Sequence, residues 1–333
     1  MSRTLVTGAT GFLGRHLAAQ LREGGNHVIA LCRGNAPELE ALGVEVQRGD
    51  VLDAASVRAA AEGCETLYHC AGKVSRAPED AEELYRIHVD GTKITLDAAR
   101  AAGIKRVVLA STSGVVAVTK DPDEVRNEKT EAPLDLLARW PYYRSKLFAE
   151  QAGLDRNTAG FEVLAVSPTL LLGPGDDRES STGDVVKFLE QKVPFVPAGG
   201  LSFVDARDAA AAMILAMERG KAGERYLVSA ANLTIEAFFA RLARISGVPA
   251  PRLKVPRSVT LARLGAGLME RAAKRFTFEA PVDRISAEMS QYFWYVDATK
   301  AREELGWVPR DPSDTLADTV RDLEQRGVVW PRG

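Results

Sequence analysis

Residues 4–7, 27–32, 44–47, 66–69, 106–110 and 161–166 form short runs rich in apolar and β-branched residues. Between them, apolar residues recur every three or four positions. Phe12, Leu13, Leu17 and Leu21 mark a helix over residues 12–23, which Gly24 and Gly25 stop. Asp53 is placed to cap a second helix over 54–62. A long helical segment runs from about residue 79 to 102, and another covers 142–155. Short strands alternating with helices predict βαβ units around a parallel sheet. Strands buried on both faces need no polar side, which accounts for a run such as Val107-Val108-Leu109. Past Pro168 the alternation breaks. Residues 173–177 read as a turn, residues 193–200 are rich in Pro and Gly, and helices then mix with short strands. The pattern predicts a first domain over 1–170 that takes back about 201–230, including Arg225 to Val228, and a smaller mixed lobe over 171–333.

Gly8-Ala9-Thr10-Gly11-Phe12-Leu13-Gly14 joins the first strand to the first helix. Gly8 permits a tight strand-to-helix turn, Gly11 lets an anion approach the backbone, and Gly14 allows close packing of the helix on the sheet. The free N–H groups of the helix start then face that anion. Such a loop at the head of an α/β chain predicts a Rossmann-type dinucleotide domain. The second strand ends Leu31-Cys32-Arg33. An acid at Cys32 would serve a free ribose 2′-OH, whereas Arg33 serves a 2′-phosphate. The expected cofactor is therefore NADP, with NAD as the alternative.

Tyr142 and Lys146 stand four apart on one helix, so they share a face. An ammonium beside a phenol would lower its pKa and let it exchange a proton with a carbonyl or alcohol. Tyr143 has Leu147 at the same spacing and no such partner. Ser111, Thr112 and Ser113 follow the fifth strand, where hydroxyls point into the crevice at the strand ends.

Composition narrows the field. In 333 residues, 46% hydrophobic and 26% charged, there is material for a real core. A net charge of −2 from 43 Lys plus Arg against 45 Asp plus Glu is no nucleic-acid footprint. Cys32, Cys64 and Cys70 make no disulfide framework and suit a reducing, cytoplasmic setting. His16, His27, His69 and His88 show no metal-ligand spacing, so no metal is expected. Neither a signal peptide nor a membrane span is read. The segment with the widest apolar face, near residues 258–273, carries Arg263, Glu270 and Arg271 and reads as a soluble helix.

Taken together, these residues resemble the extended short-chain dehydrogenases/reductases, over almost the whole chain. The glycine loop resembles that family's nucleotide signature. Gly49-Asp50-Val51-Leu52-Asp53 resembles its adenine-contacting element, Ala71-Gly72 the turn that passes the cofactor, and Leu305-Gly306-Trp307-Val308-Pro309 a common C-terminal element. Residues 142–151 and 200–209 are most similar to the dihydroflavonol-reductase-like and hydroxysteroid-dehydrogenase-like branch. The resemblance implies cofactor contacts from Gly8, Thr10, Gly11, Phe12, Leu13, Gly14, Arg33, Asp50, Val51, Cys70, Ala71, Gly72, Pro168 and Leu171, and from Tyr142 and Lys146. It implies catalysis by Tyr142 as acid, Lys146 as its partner and ribose ligand, and Thr112 holding the substrate oxygen. His88 stands where the family often has Asn. Residues 251–281 are similar to the extra helix of members that reduce steroids and long-chain ketones.

The expected activity is NADP-dependent reduction of a hydrophobic ketone, or oxidation of a secondary alcohol, by a homodimer. Phe188, Leu189, Val193, Phe195, Val196, Leu261, Leu264, Leu268 and Met269 are expected among the walls of the substrate site, with Arg178, Lys187 and Lys192 as its few cations. The alternatives are an NAD-dependent epimerase or dehydratase of nucleotide sugars, and a nucleotide-sensing protein without turnover.

Overall fold

The computed structural model describes residues 2–255, 257–276 and 283–330. The chain opens with β1 (Arg3–Thr7), α1 (Phe12–Glu23), β2 (His27–Cys32), the short α2 (Pro37–Glu40), β3 (Glu45–Arg48), α3 (Ala54–Ala61) and β4 (Thr66–His69). The long helical segment is broken into a 3-10 turn (Pro78–Asp80), α4 (Ala81–Tyr85), a π-helical turn (Arg86–Asp90) and α5 (Gly91–Ala101). Then come β5 (Arg106–Ala110), the short α6 (Leu134–Leu137), α7 (Pro141–Leu154), β6 (Glu162–Pro168) and β7 (Leu170–Leu172). The remainder is α8 (Gly183–Leu189), β8 (Gly200–Asp205), α9 (Ala206–Arg219), β9 (Arg225–Val228), β10 (Ala231–Thr234), α10 (Ile235–Ser246), α11 (Val259–Phe276), α12 (Arg284–Met289), α13 (Thr299–Leu305) and α14 (Pro312–Gln325).

Seven strands form one sheet in the order β3-β2-β1-β4-β5-β6-β9, every neighbouring pair parallel. This is the doubly wound Rossmann arrangement, with its switch point between β1 and β4. The twofold alternation along each strand sorts side chains to opposite faces. Val6, Ala30 and Val108 pack beneath α1 and α9, while Leu5, Ile29 and Val107 pack beneath α3 and α5. β9 is one of the two edge strands, so residues 225–228 lie in the large sheet although they follow part of the smaller lobe in sequence.

The lobe holds a three-stranded sheet, β10-β8-β7, and its own core. Phe188, Phe203, Phe238 and Phe239 meet Leu316, Val320 and Leu323 of α14 there. Phe188 stacks on Phe239 at 5.2 Å between centroids. The C-terminal element fastens the two parts. Gly306 ends α13 in the left-handed region, Trp307 is buried, and its indole N–H donates to the Asp208 carbonyl at 2.8 Å. No helix among the described residues is long and apolar enough to cross a membrane.

Candidate active site

At the switch point the glycine loop is held by contacts that exclude any side chain. Gly8 has φ +72°, and a Cβ there would lie 2.5 Å from the Cys70 carbonyl. A Cβ on Gly14 would lie 2.2 Å from the Gly8 carbonyl oxygen. Gly14 therefore packs on the turn of its own loop, where the sequence suggested the sheet. Gly11 caps α1 with no side-chain hydrogen bond, so the N–H groups of the helix start face the crevice. A backbone cradle that a Cβ would fill, at a helix start, fits a dinucleotide pyrophosphate. Thr10 is exposed on this loop, and Phe12 and Leu13 are nearly buried at the helix entrance.

Most other candidate cofactor residues follow carboxyl ends of strands, while Pro168 ends β6 and Leu171 lies within β7. Arg33, one residue past β2, is exposed and forms no ion pair or hydrogen bond among the described residues. The sequence reading missed its neighbour Arg48. Cys32 pairs with Arg48 in the β2–β3 register, and Arg48 is likewise exposed and unpaired among the described residues. The only signal in the sequence was its place at the end of the third apolar run. Burial, and then the Glu38 carboxylate, push the Cys32 thiol up. Asp50 accepts from Leu52 N–H at 3.0 Å and Val51 is half-buried beside it. Cys70, Ala71 and Gly72 follow β4; burial pushes the Cys70 thiol up to about 12.

Pro141 occupies the first turn of α7, where its missing N–H costs nothing, and sets Tyr142 and Lys146 on the face toward β5. Lys146 Nζ donates to the Ala110 carbonyl at 2.6 Å, and burial lowers its pKa to about 8. The phenol of Tyr142 does not behave as the spacing suggested. Burial, and then Tyr143, push it above the ordinary tyrosine value. The ammonium of Lys146 is engaged by a backbone carbonyl.

His88 explains the rigidity beside Tyr142. Lys73 N–H donates to His88 Nε2 at 3.1 Å, so the ring proton sits on Nδ1 and donates to Ser145 Oγ at 2.8 Å. Ser145 Oγ in turn donates to the Tyr142 carbonyl at 2.9 Å. Burial, and then Lys146, hold the His88 pKa down at about 3, so it stays neutral at neutral pH. Its ring meets Tyr142 edge-on at 5.7 Å. Tyr143 borders the same crevice, its ring tilted against Trp294 at 5.0 Å between centroids and so close to Gly114 that a Cβ there would lie 2.1 Å from the ring.

Thr112, Tyr142 and Lys146 line one cavity of about 410 Å³, together with Leu13, Pro168 and Leu171. Thr112 Oγ1 accepts from Gly114 N–H at 3.3 Å, which leaves its own O–H free to donate. Ser111 lines the same cavity, and its buried Oγ has no hydrogen-bond partner among the described residues. Val193 and Phe195 are walls as expected, whereas Phe188, Leu189 and Val196 belong to the lobe core. Leu261, Leu264 and Leu268 are not walls: they are 57%, 60% and 65% exposed on α11. The helix presents them outward because its inner face is taken by Ala266 and Gly267, packed on α12. The side chains of Met269 and Arg271 lie outside the described residues. At the cavity edge Arg76 reaches from the loop after β4 to Asp184 Oδ2 (3.0 Å) on α8 and Ser286 Oγ (3.1 Å) on α12.

Residues 4–229 match the NAD dependent epimerase/dehydratase family. The chain is 35% identical to sterol demethylase protein B of Methylococcus capsulatus, over 98% of this chain and 99% of that one. It is 33% identical to a protein from Synechocystis sp. named for dihydroflavonol 4-reductase, over 97% and 95% of the two chains. The solved structure of gox2253 superposes with a TM-score of 0.84 at 28% identity, covering 99% of this chain and 100% of that one.

Proposed function

The chain belongs to the NAD dependent epimerase/dehydratase family, and from that premise we propose that it is an NADP-dependent reductase of a hydrophobic ketone, able to oxidise the matching secondary alcohol. The observation that carries this reading is the cavity wall. Phe195, Leu201, Ile235, Phe238, Met289 and Trp294 surround the space next to Tyr142. Of the cations on the lining, Arg76 is paired with Asp184 and Lys146 donates to the Ala110 carbonyl; Lys187 has neither an ion pair nor a side-chain hydrogen bond among the described residues. A diphosphate needs several charge-assisted partners; an apolar ketone needs a dry wall and a few polar groups at one end. The names of the two relatives, one a reductase and one acting in sterol demethylation, agree with such a substrate.

The dinucleotide, when bound, supplies the hydride. Tyr142, kept protonated by its burial, donates a proton to the carbonyl oxygen as the alkoxide forms. Thr112 O–H, with the unpartnered Ser111 hydroxyl beside it, holds that oxygen. Lys146 would hold the cofactor ribose, and its charge would stabilise the phenolate that Tyr142 becomes as its proton leaves. The resting state is a homodimer through α4 and α7, where the Tyr85 and Phe148 rings, 43% and 44% exposed, meet edge-on at 6.5 Å. The three free thiols suit the cytoplasm.

A panel of aromatic and alicyclic ketones is expected to consume NADPH, while UDP- and dTDP-sugars are neither bound nor interconverted. Micromolar binding of a nucleotide sugar, with the cofactor retained through turnover, would replace this reading with the epimerase one.

Cofactor choice rests on Arg33 and Arg48. Each offers a charge-assisted bond to a 2′-phosphate, so Arg33→Ala and Arg48→Ala should each weaken NADPH about tenfold and leave NADH nearly unchanged. Fluorescence titration of both cofactors reads this directly. Equal affinities in the unaltered protein would refute the assignment.

A further inference from the structure

The face that α11 turns outward has its own chemistry. Leu261, Leu264 and Leu268 recur at i, i+3 and i+7, so they form one stripe, and each is more than half exposed. Leu253, 71% exposed, precedes them in the loop leading to the helix. From residue 251 to 269 the chain has Arg252, Lys254, Arg257 and Arg263 and no acidic residue, in a protein whose net charge is −2. Lys254 pairs with Glu236, Arg263 reaches Glu288 at 3.6 Å, and Arg257 lies over the Phe293 ring. Arg252 is exposed with no ion pair among the described residues.

We infer that this leucine stripe and its basic border form a surface that docks α11 in the plane of an anionic lipid bilayer. An amphipathic helix with leucines on one side and cations around them gains from both acyl burial and headgroup charge. Charge decides between this occupant and a second copy: residues 251–276 carry seven Lys or Arg against the single acid Glu270, so pairing the face with itself would set one basic segment against another. The position also makes sense of the cavity. α11 packs on α12, and Ile285, Ser286 and Met289 of α12 line the cavity next to Tyr142. A docked helix therefore sets the cavity rim beside the bilayer, where an apolar substrate is concentrated. The surface stands independently of the proposed reduction.

The test is sedimentation of the full chain with vesicles of phosphatidylcholine alone and of phosphatidylcholine mixed with phosphatidylglycerol. Pelleting is expected with the mixed vesicles and should weaken as salt rises. The triple variant Leu261→Asn, Leu264→Asn, Leu268→Asn should lose at least about tenfold in vesicle affinity with an unchanged circular dichroism spectrum. Arg252→Glu, outside the helix, should lose about fivefold and serves if the triple variant fails to fold. No pelleting with anionic vesicles, or equal pelleting of wild type and a folded triple variant, overturns the inference. So does a triple variant that turns a dimer into a monomer, since a second copy would then be the occupant. Because vesicle binding is read without turnover, a failure here leaves the ketone reading standing, and the reverse holds too.

Discussion

Tyr142→Phe should lower ketone turnover by about 10²–10⁴-fold, the usual worth of a positioned acid, with cofactor affinity nearly kept. The ring stays, and with it the edge contact to His88; only the proton is lost. Tyr143→Phe is the control. That ring is held by Trp294 and Gly114, so its hydroxyl carries none of the packing and its loss should change turnover little. Similar losses in the two variants would show that the acid is misassigned. The pH dependence adds a second check. His88 is neutral above about pH 3 and cannot shape the profile near neutrality. Lys146 can, because burial holds its ammonium at about 8. Binding an anionic dinucleotide favours the charged form, so affinity should fall as pH rises through about 8, and Lys146→Met should flatten that limb.

Gly14→Ala should cost about 1–3 kcal/mol of stability and weaken cofactor binding by at least about tenfold. The added methyl meets the Gly8 carbonyl oxygen at 2.2 Å and the Ala9 Cα at 2.9 Å, all backbone. Gly8 has φ +72° and a Cβ built on it would lie 2.5 Å from the Cys70 carbonyl, so its side of the loop is closely walled. The clash must move the loop that faces the anion. Gly160→Ala, which meets nothing within 4 Å, should stay within about 0.5 kcal/mol. Thermal unfolding and cofactor titration of both variants read the difference. A stable Gly14→Ala protein with full affinity would mean that the loop yields freely and that the cradle has another basis.

What the chain's own pattern determined was local or periodic. The twofold and 3.6-fold alternations set which segments are strands and helices. Strands as apolar as Val107-Val108-Leu109 can only sit between two helical layers, so the parallel sheet followed from burial alone. The i, i+4 spacing put Tyr142 and Lys146 on one side of α7 because a helix has no other way to arrange them. Everything set by neighbours distant in sequence was decided by the tertiary structure. The hydrogen-bond partner of Lys146 is the Ala110 carbonyl, 36 residues away in sequence, and burial, then Tyr143, push the Tyr142 pKa up where spacing suggested low. The tautomer of His88 depends on Lys73 N–H and Ser145. Arg48 became Arg33's companion only through β2–β3 pairing. The leucines of α11 have the period of a buried face, and periodicity cannot distinguish a wall from a surface. Which way such a stripe points depends on which side of the helix α12 occupies, and here Ala266 and Gly267 fit against it while the leucines are left outside.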